Sequence, residues 1–197
     1  MTTHFSKMMF TEFRPIGAQI RQSTSADVLS DILLPEVNLA VWQRQLDKEL
    51  LSCARQLAAR PAFALQRQTH LDDLPALLIN ALPELPGSDG LRKDIMLQAE
   101  MLACLMDTDY LGIRLKTLHQ AMCPRFHTDH VALRMLVTYA GPATEWREGP
   151  DEADVTGALQ LGDTAVLKGS AWPDAAAVWH RSPPGLSVRL LLTLDPL

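Results

Sequence analysis

Two histidines and one aspartate in the C-terminal half of the chain have the residue types of a non-haem iron site. His127 and Asp129 are two positions apart, and His180 is the only histidine that follows His130. In an extended strand, residues two apart point to the same face, so His127 and Asp129 could bind one metal ion together. Two imidazoles and one carboxylate, with open coordination positions, suit Fe(II) and oxygen chemistry. The pattern therefore predicts a metal site formed by His127, Asp129 and His180.

The first half of the chain carries the spacing of amphipathic helices. Apolar residues recur at steps of three and four before Pro61, at Leu39, Trp42, Leu46, Leu50, Cys53 and Leu57. Such steps place the apolar residues on one face of a helix. The predicted helices cover residues 39–59, 73–81 and 90–107.

After Asp109 the period of the pattern changes to two. Apolar Leu111, Ile113 and Leu115 alternate with glycine and basic residues, as in a strand with one buried face. The predicted strands cover residues 111–115, 134–140, 155–160, 164–168, 176–180 and 187–194. Many short strands separated by turn signals predict an antiparallel double sheet of the jelly-roll or cupin type.

Composition excludes several classes of function. The chain has 197 residues and a formal net charge of −5, with no basic run, which argues against nucleic acid or an anionic membrane as a partner. No apolar stretch approaches the roughly 20 residues that span a bilayer, and no secretory signal is visible. The three cysteines are far apart and odd in number, so we expect no disulfide framework and a cytoplasmic location.

The C-terminal half resembles the double-stranded β-helix of the Fe(II)/2-oxoglutarate oxygenases, in their prolyl-hydroxylase-like branch. In that superfamily a His-x-Asp pair closes an early strand, a glycine-acidic turn opens a later strand, and a distal histidine precedes an arginine on the final strand. The matching elements here are His127-Thr128-Asp129, Gly162-Asp163, His180 and Arg189.

This resemblance implies both cofactors and a role for Arg189. Fe(II) would be held by the two histidines and the aspartate, which leaves its opposite face free for 2-oxoglutarate and oxygen. The planar guanidinium of Arg189 suits the distal carboxylate of 2-oxoglutarate. The chain departs from the superfamily at Leu191, where a serine or threonine is usual, and has a slightly shorter spacing between His180 and Arg189.

Together, the pattern and the resemblance predict an α+β fold in which N-terminal helices pack on a C-terminal double-stranded β-helix. We expect one structural domain with three segments. Residues 1–30, rich in Ser, Thr and Gln, are predicted to be a loose arm; residues 31–109 form a helical layer; and residues 110–197 form the β-helix core.

A second resemblance covers most of the chain. The blocks Cys123–His130, Thr138–Trp146 and His180–Pro183 are similar to those of an uncharacterised bacterial family. The genes of that family often lie beside zinc-responsive genes, including those of metallochaperone GTPases. The resemblance therefore implies a functional link to a metallochaperone GTPase, and it supplies no substrate.

Two other functions stay open at this point. Cys123, His127, His130 and His180 offer ligands that zinc accepts readily, which would make the chain a zinc-binding accessory protein of zinc homeostasis without redox chemistry. A cupin-like binding domain without metal is the third interpretation.

The residues around the predicted site also have more than one interpretation. Arg189 could pair with Glu145 or Asp195 instead of a ligand, and Glu145 could accept a hydrogen bond from a ligand histidine. In a regular strand His130 would point away from His127. We interpret Trp146 and Trp179 as wall or core residues.

Overall fold

A computed structural model of the chain describes residues 19–61, 63–151 and 156–197. The strands are β1 (Gln19–Ser23), β2 (Val37–Trp42), β3 (Ala64–His70), β4 (Tyr110–Leu118), β5 (Leu133–Ala140), β6 (Glu145–Arg147), β7 (Thr156–Ala158), β8 (Thr164–Lys168), β9 (Trp179–Arg181) and β10 (Arg189–Pro196). The α-helices are α1 (Lys48–Ala58), α2 (Leu74–Ala81) and α3 (Ser88–Met106), and two 3-10 helices cover Ala26–Leu33 and Leu71–Asp73.

The strands form a large sheet and a small one. The large sheet has seven strands in the order β1-β2-β8-β5-β10-β4-β3, and the small sheet has three in the order β7-β6-β9. β1 pairs with β2 in parallel, and the other strand pairs are antiparallel. Several neighbouring strands, such as β2 and β8 or β5 and β10, are distant in sequence, so the fold brings separate motifs of the chain together.

The large sheet has two unlike faces. Alternate residues of β10, Leu190, Leu192 and Leu194, belong to the core cluster that includes residues of α1 and α3. A second apolar cluster joins the opposite face of the sheet to Trp146 of the small sheet. Leu191 and Thr193 point to this inner side, as the two-residue period of a strand requires. We call the two sides of the large sheet the helix side and the inner side.

Several predicted elements are confirmed, with shifted ends. The predicted helices at 73–81 and 90–107 correspond to α2 and α3. The strands predicted at 111–115, 134–140, 164–168 and 187–194 correspond to β4, β5, β8 and β10, and those at 155–160 and 176–180 to the shorter β7 and β9.

The prediction of one helix over residues 39–59 is wrong at its N-terminal end. Residues up to Trp42 belong to β2, and α1 begins only after Asp47, whose carboxylate accepts hydrogen bonds from the N–H groups of Glu49 and Leu50. β2 lies inside the large sheet and is buried from Val37 to Val41. A short apolar run of this kind is compatible with both a buried strand and a helix.

The predicted arm and helical layer also differ from the structure. Within residues 1–30, Gln19–Ser23 form an edge strand, and a 3-10 helix begins at Ala26; residues 1–18 lie outside the described residues. The segment 31–109 supplies β2 and β3 to the large sheet in addition to its helices. The sequence did not predict β1 because this strand is mostly polar. It pairs in parallel with β2, so the two strands do not form a hairpin.

Candidate metal centre

Two backbone hydrogen bonds hold the predicted ligand histidines side by side. The N–H of His127 donates to the carbonyl of His180 at 3.0 Å, and the N–H of His180 donates to that of His127 at 2.9 Å. This antiparallel bridge attaches the loop before β5 to β9 of the small sheet. The two imidazole ring centroids are 4.6 Å apart as a result.

Asp129 lies close to both imidazoles. Its Oδ2 is 3.1 Å from Nε2 of His180, and its Oδ1 is 3.7 Å from Nε2 of His127. One possible ligand atom from each of the three residues lies within 4.8 Å of the others. The donor set of two imidazole nitrogens and one carboxylate fits a divalent metal such as Fe(II).

The loop that carries Asp129 is held by the segment after β8. The carbonyl of Asp129 accepts a hydrogen bond from the N–H of Ser170 at 2.8 Å. A Cβ atom on Gly169 would lie 2.6 Å from that carbonyl and 2.2 Å from the carbonyl of Val131. Glycine at this position therefore permits the close backbone approach that places Asp129.

The hydrogen bonding of His127 leaves the correct nitrogen free for a metal. Its Nδ1 lies 3.0 Å from the carbonyl oxygen of Arg125, and a carbonyl only accepts. Nδ1 therefore carries a proton, and in the neutral imidazole the lone pair lies on Nε2, the nitrogen nearer Asp129. Metal-ligating histidines commonly have this arrangement. The Nδ1 atom of His180 is buried and has no hydrogen-bond partner among the described residues.

Asp129 is held as a carboxylate by its surroundings. Burial on its own raises its pKa, but the hydrogen bond and charge of His180, with the charges of Arg134 and His127, lower the pKa from 3.8 to about 2. Nη1 of Arg134 lies 2.7 Å from Oδ2 of Asp129. The same guanidinium donates two hydrogen bonds to Asp195, at 2.6 and 2.7 Å. Asp129 is therefore ionised at neutral pH, which is the form in which a carboxylate can bind a metal.

A cavity of about 210 Å³ adjoins the three residues. Its wall on the inner side of the large sheet consists of Arg114, Arg134, Leu136, Leu191 and Thr193. Cys123, Thr144, Arg181 and Ser182 line it from the loops and the small sheet. The cavity thus combines the candidate metal ligands with several cationic side chains.

Arg189 lies buried behind Thr144. Its side chain is 1% exposed, and Nη2 lies 3.2 Å from the hydroxyl of Thr144 and 3.5 Å from that of Thr138. Its Nε has no hydrogen-bond partner within residues 19–61, 63–151 and 156–197, and burial lowers its pKa. No carboxylate of the described residues forms an ion pair with it. Thr138 and Thr144 supply hydroxyls near the arginine, although Leu191 stands where the oxygenase pattern has a serine or threonine.

The family profile described as "Protein of unknown function (DUF1826)" matches residues 23–195. The chain belongs to the DUF1826 family. A comparison with curated protein sequences gives no significant match.

Solved structures similar to this DUF1826 chain include dioxygenases. The rice dioxygenase for auxin oxidation has a TM-score of 0.57 and 13% identity, with 91% of this chain and 83% of that chain covered. For dioxygenase for auxin oxidation 1 of Arabidopsis thaliana, in a complex with 2-oxoglutarate, the values are 0.54, 11%, 91% and 92%. For a full-length Neurospora crassa protein in a complex with α-ketoglutarate, they are 0.50, 11%, 92% and 84%.

At these identities the likeness shows the fold alone. The chain has a sheet-rich α/β architecture similar to the jelly-roll fold of the 2-oxoglutarate oxygenases. None of the helices in the described residues has both the length and the apolarity that a membrane-spanning helix needs.

Both alternative partners predicted for Arg189 are wrong. Asp195 pairs with Arg134, and Glu145 accepts a 2.6 Å hydrogen bond from Nε of Arg181. The hydrogen-bond partner of Nδ1 of His127 is the backbone carbonyl of Arg125 and not Glu145. These pairings depend on strand register, which a single sequence does not reveal.

The remaining predicted residues lie near the site without joining the three candidate ligands. Cys123 lines the cavity but is not part of the candidate metal group, and Nδ1 of His130 contacts the hydroxyl of Ser170 at 3.1 Å. A zinc site that uses Cys123 and His130 therefore has no geometric support among the described residues. Trp146 is a core residue, as predicted, and Trp179 is half-buried.

The predicted glycine-acidic turn is structural. Gly162 adopts a φ of +90°, and its carbonyl accepts a hydrogen bond from Arg44. The carboxylate of Asp163 accepts a hydrogen bond from the N–H of Gln160 at 2.7 Å. Neither residue lies in the candidate metal group.

Sequence reasoning gave no role to six polar residues of the cavity, which are Arg114, Arg134, Thr144, Arg181, Ser182 and Thr193. Three of them, Arg114, Arg134 and Thr193, lie within strands between apolar neighbours. A polar residue at every second position of an otherwise buried strand was the available signal.

Proposed function

We propose that this chain is an Fe(II)/2-oxoglutarate-dependent oxygenase-like metalloprotein that acts on a still unidentified substrate. His127, Asp129 and His180 would hold Fe(II), and Arg189 would hold the distal carboxylate of 2-oxoglutarate. The observation that carries this proposal is the buried guanidinium of Arg189, which has no carboxylate partner in the described residues and lies beside the candidate metal cavity. The structural neighbours described with bound 2-oxoglutarate support the same assignment.

The energetics of Arg189 favour an anionic ligand. A buried charge without a partner is costly, and the cost is relieved when an opposite charge with good geometry arrives. The two threonine hydroxyls near Nη2 can also donate to a carboxylate, because each carries its own O–H. A dicarboxylate with one end at the metal would pair its other end with Arg189, which contacts the cavity-lining Thr144.

The protein's own groups would prepare the metal site. Ferrous iron with a 2-oxo acid, held by these residues, would supply oxygen activation. The carbonyl of Arg125 fixes the His127 tautomer. Arg134 orients Asp129, and its guanidinium is itself held by Asp195. Leu136 and Leu191 give the cavity an apolar wall, which limits the entry of water.

The test is an anaerobic titration of the iron-loaded protein with 2-oxoglutarate, in which the visible charge-transfer band of a chelated 2-oxo acid is followed. Arg189→Ala should weaken 2-oxoglutarate binding by on the order of a hundredfold, because a charge-assisted bidentate pair is lost. Arg189→Lys should restore binding only in part, because a point charge does not reproduce the planar fork.

The matched control is Arg55→Ala, which removes the same charge from an exposed position on α1. It should leave the titration unchanged. If the wild-type protein binds iron but gives no band at millimolar 2-oxoglutarate, the chain is a metal-binding relative of the cupins, and the co-substrate assignment is wrong.

A further inference from the structure

Arg114 differs from the other arginines that line the metal cavity. Arg134 is paired with Asp129 and Asp195, and Arg181 is paired with Glu145. The guanidinium of Arg114 has no hydrogen bond or ion pair within the described residues. It is half-buried on β4 and faces the cavity from the inner side of the large sheet.

Thr193 gives a second, independent indication of a ligand at the same place. It is 7% exposed, and its hydroxyl has no hydrogen-bond partner in the described part of the chain. β4 and β10 pair with Thr193 directly opposite Arg114, and both side chains line the metal cavity. Directly opposed residues on neighbouring strands are close enough to bind one group together.

A polar groove continues from Arg114 toward the edge of the large sheet. The groove has a volume of about 450 Å³ and is lined by Arg114, Gln66, Gln68, Gly112 and Asp195, among others. Gln66 is the β3 partner of Arg114, and Gly112 leaves the floor between Gln68 and Asp195 without a side chain. Arg114 therefore stands where the open groove meets the metal cavity.

We propose that Arg114 and Thr193 bind an oxyanion group of the substrate, and that the polar remainder of the substrate lies in the groove over β3 and β4. The substrate would be a small polar molecule with a carboxylate or phosphate group, since the guanidinium fork and a hydroxyl donor suit both oxyanions. This inference rests on the proposed oxygenase function, because only that function makes the cavity a reaction site.

The experiment uses the full, metal-free chain with ¹⁵N-labelled arginine. Inorganic phosphate and acetate are added in separate titrations, and the Nε–H resonances of the arginines are followed by NMR. The resonance of Arg114, identified by its loss in Arg114→Gln, should shift and saturate with at least one probe. The probe that binds more tightly identifies the oxyanion as phosphate or carboxylate.

Thr193→Val separates a ligand role from a structural role. It should weaken binding of the probe about tenfold, the effect of one hydrogen bond to a charged group. The same change should leave the unfolding temperature equal or higher, because it removes a buried hydroxyl that has no partner. Arg55→Gln on the exposed face of α1 is the charge-matched control and should bind the probe as the wild type does.

The inference is overturned if the Arg114 resonance responds to neither probe, or if Thr193→Val binds the probe as tightly as the wild type. A further titration keeps it separate from the co-substrate assignment. In Arg189→Gln the Arg114 resonance should still respond to the probe. If 2-oxoglutarate competes with the probe at Arg114 in the wild type, Arg114 belongs to the co-substrate site, and the substrate assignment is wrong.

Discussion

Arg44 and Arg189 are both buried arginines, and they lie in opposite electrostatic surroundings. Arg44 donates two hydrogen bonds to the carboxylate of Asp94, one of them at 2.9 Å, and the hydroxyl of Tyr139 donates to the same carboxylate at 2.6 Å. Burial alone lowers the pKa of Arg44, but Asp94 outweighs burial and raises it. For Arg189, burial lowers the pKa, and no carboxylate in the part of the chain that the structure describes offsets this effect.

The difference extends to the two sides of the large sheet. The cluster of Arg44, Asp94 and Tyr139 joins the loop after β2, helix α3 and strand β5, and its charges are paired within the protein. The inner side holds buried polar atoms on His180, Arg189 and Thr193 that have no hydrogen-bond partner within the described residues. Arg92 and Gln98 of α3 also carry such atoms, but neither residue lines the metal cavity. Because buried polar groups are normally satisfied, a cluster of unsatisfied atoms beside one cavity indicates a ligand, whereas a satisfied cluster indicates a structural role.

The largest expected effect is a difference in the free energy of unfolding between two variants, Arg44→Met and Arg189→Met. Arg44→Met leaves Asp94 buried without its cation and should lower the free energy of unfolding by about 3–5 kcal/mol. Arg189→Met removes an unpaired buried charge and should leave the free energy of unfolding unchanged or higher. Urea denaturation of the metal-free chain measures both values.

These variants control for each other, since each removes one positive charge and inserts the same side chain. Iron binding should survive in both. If Arg189→Met destabilises the chain as much as Arg44→Met does, Arg189 stabilises the fold, and the contrast between the two sides of the sheet is lost.

The next largest effect concerns the candidate metal ligands. Asp129→Ala should lower Fe(II) affinity by more than about a hundredfold, since even indirect supporting residues are worth tenfold to a hundredfold. In the metal-free chain at neutral pH the free energy of unfolding should fall by about 2 kcal/mol, because the partners of Asp129 lower its pKa from 3.8 to about 2 and this stabilisation is lost with the carboxylate. Anaerobic calorimetric titration with Fe(II) measures the affinity.

Cys123→Ala and His130→Ala are the controls for that titration. Both residues lie outside the candidate metal group, so both variants should bind Fe(II) as the wild type does. If Cys123→Ala loses metal while Asp129→Ala retains it, a zinc site with a cysteine ligand replaces the oxygenase interpretation. Metal analysis of protein purified without added metal and without oxygen then identifies the ion.

Sequence alone predicted the features that depend on local spacing. The two-residue spacing of His127 and Asp129 placed these side chains together, and the three-and-four period predicted α3. The helix–strand ambiguity at β2 could not be resolved, because Val37–Val41 form a continuous buried run without a period of two.

The sequence did not predict which charged residues pair, because the pairing depends on the register of neighbouring strands. Asp195 meets Arg134 only because β10 and β5 are antiparallel, with Leu194 opposite Met135. Register likewise gives Arg189 two hydroxyl neighbours, Thr138 on β5 and Thr144 in the following loop, and no carboxylate among the described residues. Composition offered Glu145 and Asp195 as equal candidates, and only the strand positions separate them from Arg189.

The smallest expected effect concerns Phe126, which is not a candidate ligand but lies next to His127. It tests whether the aromatic ring helps to position the metal ligands. Phe126 precedes His127, and the guanidinium carbons of Arg181 and Arg147 lie 4.3 and 4.6 Å from the centre of its ring. Arg181 is fixed by Glu145, and Arg147 donates to the carbonyl of Pro150 at 2.6 Å. The ring therefore attaches the loop of His127 to β6 and β9 through contacts worth about 0.5–1 kcal/mol each.

Phe126→Leu keeps an apolar side chain but removes the aromatic face. Fe(II) affinity should fall about threefold to tenfold, because the loss of one or two such contacts makes the loop less well ordered before the metal binds. Phe126→Tyr retains the ring and should bind Fe(II) as the wild type does. Calorimetric titration with Fe(II) measures the affinity of the wild type and of the two variants. Equal affinity in all three would mean that the backbone bridge between His127 and His180 positions the ligands without help from the ring.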